Sequence, residues 1–374
     1  MLATKPDSAG HLLWLVRTGH GRTCGQLEHA TGLSRSTVVQ RLNVLLAAGL
    51  VRVNGVTGST GGRPAQRWEF NPQHGVLLAA ALGADRARAA VLDVGGRVLA
   101  GETAPAGIAT RPERAARWVG LCFEQLLSAT GWKPEQVRGV GIGTPSLTDG
   151  QAIADVLQSI WDCPVRLDSV ADLMALGEHA ANHPECRVLV LVDVGAAIAA
   201  GMVVGGAIHR GDGAVAGDLG HVRLPALADA RCDCGSYGCL AAGASARAIA
   251  RRLTVLGVPT RPGPGLTGRL RQGHPDALRL VRTAGGLVGE VLSPALSLVV
   301  PGVLVVTGDL AERPFLAGLR EALHERMSPR AARSLRLTTG RLGSNAYASG
   351  VHQLLVDQVY APAAVDTRLA AGLS

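Results

Sequence analysis

The chain has 374 residues and a formal net charge of +8, which is more chain than one compact core normally organises, so two or three units are expected. Its alanine-rich and valine-rich runs are broken by Gly, Asp or Arg, which excludes a membrane-spanning helix, and the first residues lack the charged, apolar and cleavage regions of a secretory leader; the expectation is a soluble cytoplasmic protein. Residues 1–75 hold 8 Lys and Arg against 3 Asp and Glu. The basic excess therefore sits in the first fifth of the chain, as in a module that binds nucleic-acid phosphates.

From His11 to Arg17 the residues Leu12, Leu13, Leu15 and Val16 form a short helical stripe, and a second helix is predicted from Thr23 to Ala30 with Leu27 inward. Thr31-Gly32-Leu33 is a tight turn. Ser34 is the expected N-cap of a third helix, with Val38, Val39, Leu42, Leu45 and Leu46 at helical spacing and Gly49 ending it. Helix, glycine turn and helix form the helix-turn-helix pattern, whose second helix places its early residues in the major groove. Those residues are Ser34, Arg35, Ser36, Thr37, Gln40 and Arg41. Arg and Gln can read base edges, whereas Ser and Thr hydroxyls mostly reach phosphates. Residues 50–53 and 67–70 read as two strands joined by a glycine-rich loop that contains Gly61-Gly62-Arg63-Pro64. That makes the module a winged variant, and Arg63 suits insertion into a narrow minor groove.

Residues 71–75 read as a linker, and a different pattern follows. Strands are predicted over 76–83, 87–92 and 97–100, and again over 187–194 and 198–204, so that strand, small-residue turn and strand occur twice. Helices are expected near 112–130, 172–181, 245–257, 277–299 and 344–360, with a strand at 303–306. Gly220-His221 and the run from Cys232 to Cys239 offer one imidazole and three thiolates, which suits a tetrahedral zinc ion held by His221, Cys232, Cys234 and Cys239. Gly235 and Gly238 let the loop curl. A disulfide is the alternative; seven cysteines and no leader favour reduced thiols. Four protein donors leave no open position, so the metal is structural rather than hydrolytic.

Gly217-Asp218-Leu219-Gly220-His221, the Cys232–Cys239 loop, Gly141-Ile142-Gly143-Thr144-Pro145 and the segment from Asp168 to Glu178 together resemble the ROK family of repressors, open reading frames and sugar kinases. The resemblance covers nearly the whole chain. It implies an N-terminal α/β winged helix-turn-helix over 1–75, then an α/β actin-like two-lobed domain over 76–374 for effector binding and oligomerisation, with its zinc loop at 221–239. The N-terminal module with Gly62-Arg63-Pro64 is the layout of the family's repressors.

Against the family's kinases, this chain departs at four places. Ala81 stands where the first hairpin usually carries its magnesium-side aspartate, and Gly195-Ala196-Ala197-Ile198-Ala199 replaces a glycine-rich phosphate loop. Val170 stands where the general base is usual, and Ala241 replaces a glutamate. The resemblance thus implies no phosphoryl transfer, and leaves Ser169, Asp172, Asp218 and His221 as the polar groups of a ligand cleft. Asp218 and His221 match positions that contact sugar hydroxyls; Asp218 could equally orient the zinc loop, and Asp172 could cap the helix it begins. The expected function is a DNA-binding transcriptional regulator, a repressor responsive to a sugar or related metabolite, acting on a double-stranded operator as a homodimer or homotetramer. Two other readings are a ROK sugar kinase that keeps a DNA-binding domain and a ligand-blind dimeric DNA-binding protein.

Overall fold

The structure, a computed structural model, describes residues 7–56, 65–105, 112–145, 147–214 and 216–372. The first unit comprises α1 (Ala9–Arg17), α2 (Cys24–Thr31), α3 (Arg35–Ala47) and the antiparallel pair β1 (Val51–Val56) and β2 (Gln66–Phe70). Thr23 caps α2 in a reciprocal box with Gln26, and Gly32 closes that helix in the left-handed region with φ 71°, the backbone that the turn into α3 requires. Ser34 caps α3 as expected. The inward stripe of α3 is Val38, Leu42 and Leu45, each fully buried. Val39 and Leu46, expected inward, are exposed, because each sits about 100° around the axis from a residue of that stripe.

After a short 3-10 turn at Pro72–His74 come β3 (Val76–Leu82), β4 (Arg86–Asp93), β5 (Val98–Pro105), α4 (Pro112–Thr130), β6 (Val137–Thr144), α5 (Leu147–Ile160), β7 (Val165–Ser169) and α6 (Val170–Asn182). Then follow β8 (Val188–Val194), β9 (Ile198–Val204), β10 (Ala207–Ile208), α7 (Leu240–Ala244), α8 (Ala246–Val255), α9 (Pro264–Arg271) and α10 (Pro275–Val299). The chain ends with β11 (Val303–Thr307), α11 (Arg313–Arg326), α12 (Pro329–Ser334), β12 (Arg336–Thr339), α13 (Ala346–Val359) and α14 (Pro362–Ala370).

The two five-stranded sheets run β5-β4-β3-β6-β7 and β10-β9-β8-β11-β12. Each has an antiparallel meander on one side of its central strand and two parallel strands on the other. The repeated hairpins of the sequence are thus the matching edges of two lobes of one design. Period-2 alternation explains why the central strands carry no polar face: Leu77, Ala79 and Ala81 pack toward α13, while Val76, Leu78, Ala80 and Leu82 pack toward α4 and α5. Helix α13 crosses α6 so closely that a Cβ on Gly350 would lie 1.8 Å from the Leu173 carbonyl oxygen; only glycine fits there.

The boundary at residue 75 separates two kinds of structure but not two cores. Leu12, Leu13, Leu27, Leu42 and Leu45 share one cluster with Leu77, Val351, Leu355, Tyr360 and Val365. Helix α14 docks on α1, where Asp366 accepts from the Gly10 amide at 2.8 Å, and Arg17 pairs with Asp357 at 2.8 Å. The Tyr360 ring is fully buried, stands edge-on to Phe70 with centroids 4.9 Å apart, and its hydroxyl lies 2.9 Å from His74 Nδ1. Truncating such a ring typically costs about 3–5 kcal/mol, so the C-terminal helices are part of what holds the N-terminal unit.

Burial, reinforced by Arg138 and Arg368, lowers the His74 pKa to about 4. In the unfolded chain a histidine titrates near 6.5, so the unfolded state takes up the proton first as pH falls. The contribution of neutral His74 is present above about pH 6.5 and is lost on the way down to about 4. His74→Gln is therefore expected to flatten the pH dependence of urea-denaturation stability between those values; an unchanged slope would show that His74 is not held neutral.

Candidate functional site

On α3 the Ser34 hydroxyl accepts from the Thr37 amide at 3.3 Å and lies 2.9 Å from the hydroxyls of Ser36 and Thr37. Ser34, Arg35, Ser36 and Gln40 are exposed, Thr37 is half-buried, and Arg35 reaches Glu28 at 3.4 Å. Arg41 is turned toward the body of the unit: it is half-buried, and its Nε is covered and without a partner among the described residues. Arg63 lies outside the described residues. The two strands that flank its loop are in place, with Val53 opposite Trp68.

Between the lobes lies a cavity of about 550 Å³. Its walls come from the turns at the ends of β3, β8 and β11, from the start of α6 and from the loop after β10. Ser169, Asp218 and His221 line it, as do Val170 and Tyr347. Asp172 does not: it is 4 % exposed and sits behind the wall. Helix α6 begins at Val170, two residues before the expected start, and its cap is Ser169 rather than Asp172. The Ser169 hydroxyl accepts from the Asp172 amide at 3.0 Å and donates to Asp172 Oδ2 at 2.7 Å. Burial raises the Asp172 pKa to about 6; Asp168 pushes the same way and the Ser169 hydrogen bond opposes.

Two ion pairs unseen in the sequence join the lobes. Asp168 on β7 is 2 % exposed and takes a two-pronged guanidinium from Arg210, Nε to Oδ1 at 2.8 Å and Nη2 to Oδ2 at 2.6 Å. Arg210 follows β10 in the other lobe. At the opposite end Arg86 on β4 contacts Asp85 at 3.0 Å and reaches Asp309, beyond β11, at 3.4 Å. Asp193 lines the same end, and burial together with Asp85 and Asp309 raises its pKa to about 6. Three carboxylates thus stand at the turns of the two hairpins and β11. Pairs separated by 42 and 223 residues leave no local signature, which is why sequence reading missed them.

The donor atoms of His221, Cys232, Cys234 and Cys239 all lie within 4.8 Å of one another. His221 Nδ1 is 3.8 Å from Cys232 Sγ, and Cys234 Sγ is 3.8 Å from Cys239 Sγ. For thiolates at about 2.3 Å from a tetrahedral ion the edge is about 3.8 Å, so the four groups fit one metal ion. Gly235 and Gly238 have φ of 89° and 83°, which is what folds the loop back on itself. The other ring nitrogen of His221 faces Asp218 Oδ1 at 4.0 Å, so the metal loop and the cleft share a side chain. Asp233, between two of the thiols, is held by Arg247 at 2.8 Å and Arg251 at 2.9 Å, and these hydrogen bonds keep its carboxyl below the usual range. Arg247 also donates to the Ala84 carbonyl at 3.3 Å, tying the loop to the first lobe.

Among the described residues no helix is long and apolar enough to cross a membrane. The chain is similar to a xylose repressor of Caldicellulosiruptor bescii, at 24% identity over 358 residues that cover 87% of this chain and 90% of that protein. It is also similar to the DNA-binding transcriptional dual regulator NagC of Escherichia coli strain K12, at 23% identity over 316 residues, 77% of this chain and 76% of NagC. Among solved structures, a ROK family transcriptional regulator that is a homologue of the E. coli MLC protein superposes with TM-score 0.78 at 20% identity, over 98% of this chain and 99% of that one. A ROK hexokinase from Thermus thermophilus gives TM-score 0.59 at 27% identity, over 74% of this chain and 97% of the hexokinase. The ROK family model matches residues 77–358, from the first strand of the first lobe to the end of α13. With that match spanning both lobes of the actin-like sugar-kinase architecture, the chain belongs to the ROK family.

Proposed function

We propose that the chain is a sugar-responsive transcriptional repressor that binds a double-stranded operator through α3 and the β1–β2 wing and does not phosphorylate its effector. The observation that carries this reading is the exposed Arg35, Ser36 and Gln40 face of a capped helix beside an antiparallel hairpin. It stands in a chain that matches xylose repressors along about nine tenths of their length. A helix with two base-reading side chains in its first two turns is what a major groove accepts. The operators of such proteins pair two half-sites through a dimer, so a homodimer or homotetramer belongs to the reading.

The cleft supports ligand recognition better than phosphoryl transfer. Val170 lines the cavity at the position that the family resemblance gives to the general base, and a valine cannot take the hydroxyl proton. Ser169, Asp218 and His221 on the wall are hydroxyl-binding groups. Binding there influences DNA affinity only through different contacts in two states of the whole protein, and the shared core of the N-terminal unit and α13 is a physical connection for such a difference.

The metal loop is read as a structural zinc site. Three thiolates and one imidazole form the donor set, and zinc would fix the loop that presents His221 and Asp218 to the cleft. It supplies no open coordination position for chemistry.

Three outcomes are expected. Operator binding by the full chain should fall steeply with salt, and Arg35→Ala or Gln40→Ala should weaken it by about 1–3 kcal/mol while relaxing preference at one base pair; band shifts at fixed ionic strength measure this, and an unchanged preference in the double variant would sink the α3 assignment. Elemental analysis of protein purified without chelator should find about one zinc per chain, and Cys234→Ser should lose it and lower the stability of the large domain. Finally, ADP release across hexoses, N-acetylhexosamines and pentoses should stay at the no-enzyme background for both the native chain and Val170→Asp, because the missing groups act on one transition state and cannot be restored singly. Turnover by the native chain would replace this reading with a kinase that keeps a DNA-binding unit.

A further inference from the structure

Within α3, the exposed residues assigned to DNA from the sequence, Arg35, Ser36 and Gln40, define an arc. At about 100° per residue, with Arg35 at the origin, Ser36 falls at about 100° and Gln40 at about 140°. In the first three turns of α3, two residues not assigned to DNA lie inside that arc, Val39 at about 40° and Asn43 at about 80°, and both are exposed. Thr37 and Arg41 lie outside it, consistent with their half-buried state. Val38 at about 300°, Leu45 at about 280° and Leu42 at about 340° form the buried stripe beside the Arg35 edge of the arc, so the core fixes the rotation of α3 and the arc cannot turn away. Val39 is not among the residues of that core cluster and is 38 % exposed. Leu46 is exposed on the same side but lies about 10 Å further along the axis, beyond the early turns that enter a groove.

We infer that Val39 and Asn43 belong to the operator-reading face, Val39 packing against the 5-methyl group of a thymine and Asn43 pairing with the edge of an adjacent adenine. This rests on the regulator reading above and deepens it by naming the base chemistry of the half-site. In the major groove, thymine is the one base that presents a methyl group, and apolar side chains recognise it by contact. Asn matches the N6 and N7 atoms of adenine with one donor and one acceptor. Ser34, Ser36 and Thr37, whose hydroxyls already contact one another, are left to the phosphates, and Arg35 must leave Glu28 to reach DNA. The half-site therefore contains an A·T-rich step under the second and third turns of α3.

The test begins with in vitro selection of a binding site using the full chain, followed by replacement of each thymine in turn with deoxyuridine, which removes only the methyl group. One thymine per half-site is expected at which the native protein loses about fourfold in affinity, the effect of one apolar carbon. Val39→Ala should bind the thymine operator about that much more weakly and be indifferent to deoxyuridine there; Asn43→Ala should lose its preference for adenine at the neighbouring position. Both residues are exposed, so these variants keep the fold, which their urea midpoints verify. Specific binding with no thymine-methyl effect, or an effect that persists in Val39→Ala, overturns the assignment of Val39, and retained adenine preference overturns that of Asn43. No selected sequence at all overturns the regulator reading and this inference with it.

Discussion

The buried ring of Tyr360 is the point on which the arrangement of this protein turns. It meets Phe70 and His74 of the first 75 residues and closes the end of α13, while Val365 and Asp366 of α14 complete the contact with α1. A unit as small as the three helices and hairpin buries little apolar surface by itself. Lending it the last two helices of the chain solves that problem and has a structural consequence. The helix that packs beneath the central strand of the first lobe and contributes Tyr347 to the cleft wall is also the helix on which the N-terminal unit rests.

The cleft is built from the same economy of contacts. Both lobes use an antiparallel hairpin and two parallel strands about a central apolar strand, so their turns face each other across one cavity. The turns that face the cavity carry three acids. Asp85, Asp193 and Asp309 are carboxylates in partial burial, and two of them share Arg86. The Asp168–Arg210 fork at the other end is the stronger link by geometry. Its carboxylate is out of water, and a buried carboxylate stripped of its guanidinium is far costlier than the net gain of the pair. Lobe separation thus carries an electrostatic penalty at both interlobe pairs.

Much of this was legible in the residues. The cap at Ser34, the helix at 112–130, the repeated hairpins and the cluster of His221, Cys232, Cys234 and Cys239 all follow from local rules: hydroxyl caps, 3.6-residue periodicity, small-residue turns and ligand spacing. Errors arose where two local rules compete. Val39 and Leu46 are apolar and near the helical stripe, yet one residue of rotation separates them from it, and only the placement of Val38, Leu42 and Leu45 decides which row faces in. The same ambiguity displaced the start of α6, since Asp172 and Ser169 are both good caps and only the structure shows the serine accepting the amide.

What was not legible depends on distance along the chain. Helix α5 is interrupted in sequence by Gly150, whose Cβ position is crowded by Leu167 at 2.6 Å; the glycine reads locally as a breaker, but it is there to let a helix press on β7. Helix α14 has a single buried residue, Val365, too little for a periodic signal, although the core cannot close without it. Arg210 and Arg247 read as ordinary surface cations in an Arg-rich chain, and each becomes specific only when the fold sets it against Asp168 or Asp233. The features that define the module types are local, because turn, cap and ligand chemistry are local. The contacts that join those modules are few, charged or aromatic, and long-range, and they decide how the cleft and the exposed face of α3 come to share one core.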